Sequence, residues 1–273
     1  MQAIYKPKGR AAEYFKLACN PFKGCVHGCK YCYVPGMLRV SKEEFHAESK
    51  AKPGFAEQFE KDCKKFANSP DHCLLSFSHD MFQNVYIKGE VNMSYAKNGA
   101  KIAKGIIEQL HASNIPVAFL TKGIILFEVM DKLKSTDTVG VTLTFVDPLK
   151  SREWEPYAAL PDDRISNLVA AKVRGIPTFV SIEPVIDPVE SLAVMRKAAP
   201  YTDKFLVGTA NYIGSTVDWV KFYADVMALF SELGITNYYI KESLRKAAGV
   251  PAPEEKPVQW AEKDIEAQRM LLL

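Results

Sequence analysis

Apolar and polar positions follow two alternating patterns from residue 14 onward. Short apolar runs, typical of buried strands, are followed by longer stretches in which apolar residues recur every three or four positions, as on one face of a helix. The predicted strands are 14–19, 73–78, 116–120, 139–145, 177–182, 205–207 and 238–240. The predicted helices are about 95–113, 127–133, 162–173, 188–198 and 217–233, with a further helical stripe at Phe55, Phe59, Cys63 and Phe66. Residues 34–53 are predicted to be irregular.

Strands that alternate with helices predict βαβ units and therefore a parallel sheet in an α/β fold. The chain has 273 residues, a size at which an α/β barrel can form one domain. We predict one domain over residues 1–246. Pro251, Pro253 and Pro257 lie among glutamates and mark a loop. Residues 247–273 are therefore predicted to be a C-terminal tail, which we expect to pack on the domain.

Composition favours a soluble enzyme. The chain has 48% hydrophobic and 25% charged residues, which is ordinary for a globular protein. It begins without an apolar leader, and no later segment approaches the length and apolarity of a membrane span. We therefore predict a cytoplasmic location and no membrane partner. The oligomeric state does not follow from the sequence, and a monomer is the expectation.

Charge is distributed unevenly along the chain. Residues 1–33 carry six Lys or Arg and one Glu, a net charge of +5, so the rest, with 29 basic and 31 acidic residues, has −2. Such a basic segment could attract a substrate that carries phosphate. A solvated basic face without a partner is the alternative interpretation.

The main candidate for chemistry is N-P-F-K-G-C-V-H-G-C-K-Y-C-Y at residues 20–33, which we call the cysteine loop. Its three cysteines follow the spacing C-x3-C-x2-C and are Cys25, Cys29 and Cys32. Thiolates select iron–sulfur clusters, zinc or Cu(I), and Gly24 and Gly28 allow the backbone to turn tightly around a ligand. A [4Fe–4S] cluster takes four ligands and the loop offers three, so one iron would be open to a small molecule.

Zinc and disulfide interpretations of the loop stay open at this point. Zinc usually takes two ligand pairs that are far apart in sequence. The sequence has no second C-x2-C, although His27 could complete a Cys3His set. Disulfides are not expected in a chain predicted to be cytoplasmic, and Cys63, on an apolar helical stripe, is assigned to the core.

With its flanking residues, the cysteine loop resembles the cluster-binding motif of radical S-adenosylmethionine (SAM) enzymes, with Tyr31 in the aromatic position before the third cysteine. In that family, SAM chelates the open iron through its amino and carboxylate groups. Reductive cleavage of SAM then gives a 5′-deoxyadenosyl radical that abstracts hydrogen from a substrate.

Other motifs between residues 4 and 246 are similar to the spore photoproduct lyase-like subgroup (SplB-type, "DNA repair photolyase"), and several are also similar to radical SAM proteins carried by phages. They are I-Y-K-P-K-G-R-A-x-E-Y, L-L-S-F-S-H-D, L-T-K-G, G-V-T-L-T-F, F-V-S-I-E-P-V-I-D-P and Y-Y-I-K-E-S-L. The resemblance implies a partial (β/α)6 TIM-like barrel of radical SAM type with a C-terminal extension. It also implies a [4Fe–4S] cluster on the three cysteines, SAM, and an external low-potential electron donor of flavodoxin or ferredoxin type.

Working groups of such barrels lie at the carboxyl ends of strands. The polar residues at these ends are His79, Asp80, Thr121, Lys122, Thr142, Thr144, Glu183 and Asn211. By the resemblance, Asp80 pairs with the positive side of SAM, Lys122 meets the SAM carboxylate, and Thr142 supplies a hydroxyl contact. His79, beside Asp80, is assigned to the same cofactor site. For Lys122, the alternative is a solvated lysine.

Tyr33 and Glu183 are the candidate catalytic residues. Tyr33 resembles an aromatic residue beside SAM or on a radical-relay path, although packing alone would also explain it. Glu183 is expected to contact substrate or to form an ion pair inside the barrel, because a buried unpaired charge is costly.

One position departs from the subgroup. In spore photoproduct lyase, the hydrogen-donating cysteine lies three residues before the aspartate that matches Asp80, and that position here is Phe77. Cys73 is too far along the strand to replace it, at about 13 Å for a rise of roughly 3.3 Å per residue. Reversal of thymine dimers by that route is therefore disfavoured.

These observations predict a radical SAM enzyme that abstracts hydrogen from a nucleobase or nucleotide-like substrate. A radical SAM enzyme for a small molecule or peptide is the first alternative. The second is a non-catalytic zinc- or cluster-binding module that recognises nucleic acid.

Overall fold

The structure is a computed structural model and describes residues 2–83, 85–87, 90–210 and 213–251. The strands are β1 (Ile4–Tyr5), β2 (Leu17–Cys19), β3 (Phe22–Lys23), β4 (Lys50–Ala51), β5 (Cys73–Leu75), β6 (Val85–Ile87), β7 (Glu90–Asn92), β8 (Val117–Thr121), β9 (Thr138–Thr142), β10 (Thr178–Ile182), β11 (Lys204–Val207) and β12 (Tyr238–Ile240). The α-helices are α1 (Val34–Leu38), α2 (Lys42–Ala47), α3 (Phe55–Lys65), α4 (Met93–Ala112), α5 (Phe127–Met130), α6 (Pro148–Trp154), α7 (Pro161–Val173), α8 (Pro188–Ala198), α9 (Trp219–Glu232) and α10 (Glu242–Ala247). Short 3-10 helices cover Gly9–Glu13 and Ala199–Tyr201.

The main sheet has eight strands in the order β1-β2-β5-β8-β9-β10-β11-β12. The last seven of these are parallel to their neighbours, and β1 pairs antiparallel with β2 at the edge. Parallel strands therefore lie side by side in chain order, whereas a doubly wound sheet reverses its order at a switch point. The predicted α/β partial barrel is confirmed.

The two faces of the sheet bury different sets of side chains. One face carries a row of residues from successive strands, which are Ala18, Leu74, Ala118, Phe179, Leu206 and Tyr239. Gly140 on β9 makes room in this row, because a Cβ there would lie 2.1 Å from the Phe179 ring. The other face packs against the helices in two larger apolar clusters, one centred on α4 and one on α8 and α9.

The parallel strands bring their carboxyl ends to one edge of the sheet. Residues that follow the strands in sequence, such as Asn20 after β2 and Ser76 after β5, meet at this edge. So do Lys122 after β8 and Glu183 after β10. The predicted strand-end residues are therefore close in space.

Several elements differ from the prediction. Residues 34–53 contain α1 and α2, so the irregular assignment was wrong. The side chain of Ser41 caps α2 by accepting a hydrogen bond of 3.0 Å from the N–H of Glu44, and this S-x-x-E pattern was present in the sequence. Helix α6 was also missed, although Asp147 caps it before a proline.

Some predictions fall outside the described residues. Asn211 and the tail residues 252–273 lie there, so the division into 1–246 and 247–273 stays a prediction. Among the helices that the structure describes, none combines the length and the apolarity that crossing a membrane requires.

Candidate active site at the carboxyl ends of the strands

The cysteine loop is held from its first turn by α2 and the residue that follows it. Gly24 has φ +85°, and a Cβ there would lie 2.0 Å from the backbone oxygen of Glu48, so only glycine fits. The N–H of Cys25 donates to the Phe45 carbonyl at 3.1 Å. The Cys25 carbonyl lies 2.6 Å from Nδ1 of His46. These contacts fix the backbone on both sides of the first cysteine.

The rest of the cysteine loop is held by two other segments. Gln83, after β5, accepts the Val26 N–H through Oε1 at 2.7 Å. The carbonyl of Trp154, at the end of α6, accepts the Lys30 N–H at 2.9 Å. The loop is thus braced by segments from three parts of the chain, which favours one defined arrangement of its thiols.

The three thiols of the loop match the chemistry of a metal centre. All six cysteines, each within the described residues, are free of disulfides. Burial raises the pKa of Cys25 and Cys32, and it raises the pKa of Cys29 to about 12. Neutral thiols are therefore favoured until a cationic centre stabilises the thiolates. Within the described ranges, no three His, Cys, Asp or Glu side chains converge on one metal ion. A [4Fe–4S] cluster does not require such convergence, because its cysteines bind different irons.

A buried ionic network lies behind the cysteine loop. The hydroxyl of Tyr31 donates to Oε1 of Glu155, and Arg164 donates to Oε2 of the same carboxylate at 2.5 Å. Arg164 also donates to the carbonyls of Thr142 at 2.9 Å and Ala159 at 2.8 Å. Burial alone would raise the pKa of Glu155, but the adjacent guanidinium holds it below its ordinary value. The network connects the loop, between its second and third cysteines, to the end of β9.

Asp80 braces the ends of two strands. Its Oδ1 accepts from the Thr121 hydroxyl at 2.6 Å and from the Phe82 N–H at 2.9 Å, and its Oδ2 accepts from the Lys122 N–H at 2.7 Å. Nδ1 of His27 lies 3.6 Å from Oδ2. Burial acts to raise the pKa of Asp80, but His27 and the donated hydrogen bonds lower it below its ordinary value. Asp80 is therefore ionised and has a positioning role that sequence reasoning missed.

Lys122 extends from the end of β8 toward the cysteine loop. Its Nζ lies 5.9 Å from the ring centroid of Tyr31. Burial acts to lower the pKa of Lys122, but Cys29, Glu155 and Asp80 together raise it above its ordinary value. A charged ammonium beside the cysteine loop is a suitable partner for a carboxylate.

A central cavity of about 580 Å³ opens at this edge of the sheet. Its lining residues are Tyr5, Pro7, Lys8, Gly9, Arg10, Ala11, Tyr14, Asn20, Tyr31, Tyr33, Met37, Leu38, Ser76, Phe77, Ser78, Asp80, Leu120, Thr121, Lys122, Thr142, Glu183 and Pro184. Five predicted site residues, Tyr33, Asp80, Lys122, Thr142 and Glu183, are therefore brought to one cavity.

His79 lies outside this lining. Its ring packs edge-on against Phe22 at 5.3 Å between centroids, and neither ring nitrogen has a hydrogen-bond partner among the described residues. Burial lowers the pKa of His79 to about 3, so the ring is neutral. The assignment of His79 to the cofactor site stays a prediction without a supporting contact.

Glu183 has a cationic partner that sequence reasoning did not identify. Lys241, which follows β12, donates from Nζ to Oε2 of Glu183. Tyr14 donates to the same oxygen at 3.3 Å and shares a hydrogen bond of 2.7 Å with Ser181. The only signal for Lys241 in the sequence was a lysine placed directly after a short apolar strand.

A sequence model of the Radical SAM superfamily matches residues 19–199, which is more than half of the chain. Uncharacterised proteins of Mycobacterium tuberculosis (strain H37Rv) and Mycobacterium bovis are 23% identical to this chain over 269 residues. The matches cover 89% of this chain and 74% of each relative.

Two kinds of solved structure are similar in fold. A spore photoproduct lyase variant with bound AdoMet and dinucleoside spore photoproduct has a TM-score of 0.61 and 13% identity, covering 85% of this chain and 79% of that one. Streptococcus suis SuiB bound to S-adenosylmethionine has a TM-score of 0.56 and 14% identity, covering 90% and 52%. At these identities the likeness shows a shared fold, which is an α/β sheet of the radical SAM partial-barrel type.

Proposed function

The chain belongs to the radical SAM superfamily, and on that basis we propose that it abstracts hydrogen from a substrate that carries a nucleobase and phosphate. The family's cofactors are a [4Fe–4S] cluster and SAM, and its enzymes need a reductant. We propose that a flavodoxin- or ferredoxin-type protein supplies the electron. The reaction we propose is a repair or modification of a base, distinct from the thymine-dimer reversal of spore photoproduct lyase.

The cofactors fit the residues of the site. Cys25, Cys29 and Cys32 would hold the cluster, and Lys122 and Thr142, on the cavity wall beside the cysteine loop, would hold SAM together with Asp80. When bound, the cluster would supply the electron for reductive cleavage of SAM, and SAM would supply the group that abstracts hydrogen from the substrate. The chain's own residues would hold and orient the cofactor.

The lining of the central cavity carries the proposal about the substrate. Its rings come from Tyr5, Tyr14, Tyr31, Tyr33 and Phe77. Its rim holds Lys8 and Arg10, both exposed, from the basic N-terminal segment. Aromatic rings that stack on bases, combined with cations that pair with phosphate, are the usual features of sites for nucleotides and single strands. The spore photoproduct lyase structure of this fold holds a substrate of this class, a dinucleoside photoproduct.

Phe77 supports a reaction that differs from dimer reversal. Its ring packs between Tyr14 and Tyr33, at centroid distances of 5.7 and 6.4 Å. Cys73 is completely buried and does not line the cavity. The wall of the cavity at this point thus presents an aromatic surface where a thiol would be needed to return hydrogen to a thymine dimer.

Only part of the basic N-terminal segment faces the cavity. Lys16 pairs with Asp71 at 3.2 Å, and Lys30 pairs with Glu153 at 3.3 Å. Of the six basic residues in this segment, Lys8 and Arg10 line the cavity, so we expect one or two phosphates to be bound.

We expect oligonucleotide and nucleotide binding to depend weakly on salt. With about two phosphates neutralised, the slope of log affinity against log salt should be roughly −1 to −2. The double change Lys8→Glu and Arg10→Glu should bring this slope close to zero, because it removes both rim cations. The measurement is equilibrium binding of single-stranded and double-stranded oligonucleotides and of free nucleotides across a salt series, with SAM present.

The matched control reverses two cations of the same segment that do not line the cavity, Lys6→Glu and Lys23→Glu. It has the same change in net charge and should keep most of the slope. An equal loss of slope in both double variants would mean that the salt dependence is set by net charge and not by the position of the cations. If no oligonucleotide or nucleotide binds, the substrate is a small molecule or a peptide and the proposal about the base is wrong.

We expect Lys122→Met and Asp80→Asn to weaken SAM binding while the cluster is retained. Each change removes a charge-assisted contact worth about 1.5–3 kcal/mol, which is roughly 10- to 150-fold in affinity. The measurement is calorimetric titration of reconstituted enzyme with SAM, together with iron content. Lys221→Met, at an exposed lysine on α9 that pairs with Asp225, is the control and should bind SAM as the wild type does. Unchanged SAM affinity in both site variants would place SAM elsewhere in the cavity.

A further inference from the structure

Lys241 is a completely buried cation next to the central cavity. Its ammonium contacts the Glu183 carboxylate, lies 3.9 Å from Oε2 of Glu13, and sits 4.1 Å from the ring centroid of Tyr14. Burial acts to lower the pKa of Lys241, but Tyr14 and Glu183 raise it above its ordinary value. A charged lysine is therefore held inside the fold, directly behind a residue of the cavity wall.

The neighbouring strand leaves space for the Glu183 carboxylate. A Cβ on Gly208, at the end of β11, would lie 2.6 Å from Oε1 of Glu183. Tyr14 and Lys241 both donate to the other oxygen, Oε2. The carboxylate is thus fixed from two sides while its side chain still reaches the cavity, where it is 14% exposed.

A buried ion pair of this kind is weak evidence for stability, because apolar residues of similar volume often stabilise a fold as well or better. Because Glu183 lies on the wall of the central cavity, a role in recognising a ligand explains the ion pair better. The cavity has two basic residues at its rim, Lys8 and Arg10, and a carboxylate, Glu183, on its wall at the end of β10. Such a cavity fits a ligand that has an anionic end and a hydrogen-bond donor end.

Hydrogen bonds connect the segment that carries Arg10 to the end of β12, the strand that precedes Lys241. Glu13 belongs to the short 3-10 helix Gly9–Glu13 that also contains Arg10. Its Oε1 accepts the Tyr239 hydroxyl at 3.1 Å and the Glu242 N–H at 2.8 Å. The segment that carries the rim cations is therefore docked on the same end of β12 that supplies Lys241.

We propose that Glu183 recognises the amino-bearing edge of the substrate's base, and that Lys241 is a positioning residue that holds this carboxylate in place at the cavity wall. This proposal rests on the proposed function and names the base edge that the site selects. A carboxylate only accepts hydrogen bonds, and Asp or Glu pairs with exocyclic amino groups of bases. A carbonyl in the place of that amino group would face the carboxylate with two acceptors and no proton.

The test uses pairs of nucleotides that differ at this group. CMP and UMP differ by an amino group against a carbonyl, and GMP carries an amino group that IMP lacks. We expect SAM-loaded, reconstituted wild-type enzyme to bind the amino-bearing member of at least one pair on the order of 10- to 100-fold more tightly. Glu183→Gln should bring that ratio close to one, because the amide can donate as well as accept. Binding is measured by calorimetry with ribonucleotides and deoxyribonucleotides.

Variants of Lys241 separate positioning from a purely structural role. Lys241→Met should bring the affinity ratio between the paired nucleotides close to one, as Glu183→Gln does. Lys241→Arg, which keeps the cation, should retain part of the wild-type ratio. Tyr14→Phe keeps the ring and removes the second donor to Glu183 together with the hydrogen bond to Ser181. It should reduce the ratio even if Lys241→Met does not fold. Lys246→Met, at an exposed lysine of α10 that pairs with Glu242, is the control and should keep the wild-type ratio.

The outcomes distinguish this proposal from the one on which it rests. If neither nucleotides nor oligonucleotides bind, the proposed function is wrong and this proposal is wrong with it. If nucleotides bind without preference for the amino group, or if Glu183→Gln keeps the preference, only the role of Glu183 is overturned. If the Lys241 variants weaken SAM and every nucleotide equally and leave the ratio intact, Lys241 is structural and its positioning role is overturned.

Discussion

Replacing any one of Cys25, Cys29 and Cys32 by alanine is expected to abolish the brown iron–sulfur chromophore and the cleavage of SAM. Cysteine thiolates hold such a cluster, each on a different iron, so two remaining thiolates would leave two of the four irons without a protein ligand. The measurement is anaerobic reconstitution of each variant, followed by assays of iron and sulfide per chain, visible absorbance, and methionine released from SAM under reducing conditions. Wild-type enzyme should contain about four irons per chain.

The chain supplies its own controls for this experiment. Cys19, Cys63 and Cys73 are buried in the apolar core on β2, α3 and β5, outside the C-x3-C-x2-C motif of the cysteine loop. Their alanine variants should keep the iron content of the wild type, whatever they lose in stability. If one of these variants loses iron as completely as Cys29→Ala does, the chain has a second cluster or a different ligand set.

The order of the main elements could be predicted from the sequence because each parallel strand is a short apolar run flanked by amphipathic helices. Helix α8 and strand β12 have the predicted bounds, at Pro188–Ala198 and Tyr238–Ile240. The elements that were missed are short. Strand β1 has two residues and α1 has five, so each is too short for its pattern to repeat twice.

Those cavity residues that lie at the carboxyl ends of strands could be predicted from the sequence. Asp80, Lys122, Thr142 and Glu183 come together because parallel strands place their carboxyl ends at one edge. The ion pairs behind them could not be predicted. Glu183 and Lys241 are 58 residues apart, and which charges meet across such a separation depends on how strands and loops pack in three dimensions.

The same limit applies to the basic N-terminal segment, whose attraction for a phosphate-bearing substrate stays a prediction. Its net charge of +5 was correct, but Lys16 and Lys30 are neutralised by Asp71 and Glu153 from distant parts of the chain. Counting charges in sequence finds the excess. It does not find which cations line the cavity.

Arg164 is expected to contribute more to stability than any exposed cation that the structure describes. Its guanidinium is completely buried and donates to the Glu155 carboxylate and to the backbone carbonyls of Thr142 and Ala159. Arg164→Met removes these donors and leaves the Glu155 carboxylate buried with the uncharged hydroxyls of Tyr31, Thr144 and Ser151 as its partners. Breaking a buried pair in this way costs about 3–5 kcal/mol.

The cost should be lower when both charges are removed. In the double variant Arg164→Met and Glu155→Gln, no uncompensated carboxylate remains, so the free energy of unfolding should recover part of the loss. The difference between the double variant and the sum of the single variants gives the coupling of the pair. The measurement is urea unfolding of the reconstituted enzyme, followed by circular dichroism, for the wild type and the three variants.

Arg196→Met is the matched control, because Arg196 also forms a two-point ion pair with a glutamate, Glu232, but at the surface. Exposed pairs contribute little, so this variant should unfold at the urea concentration of the wild type. A second measurement tests the connection to the cysteine loop. Because Tyr31 lies between Cys29 and Cys32 and is anchored on Glu155, Arg164→Met should alter the electron paramagnetic resonance spectrum of the reduced cluster, and Arg196→Met should not. Equal shifts of the unfolding midpoint in both variants, with unchanged spectra, would mean that the buried network neither stabilises the fold nor holds the loop.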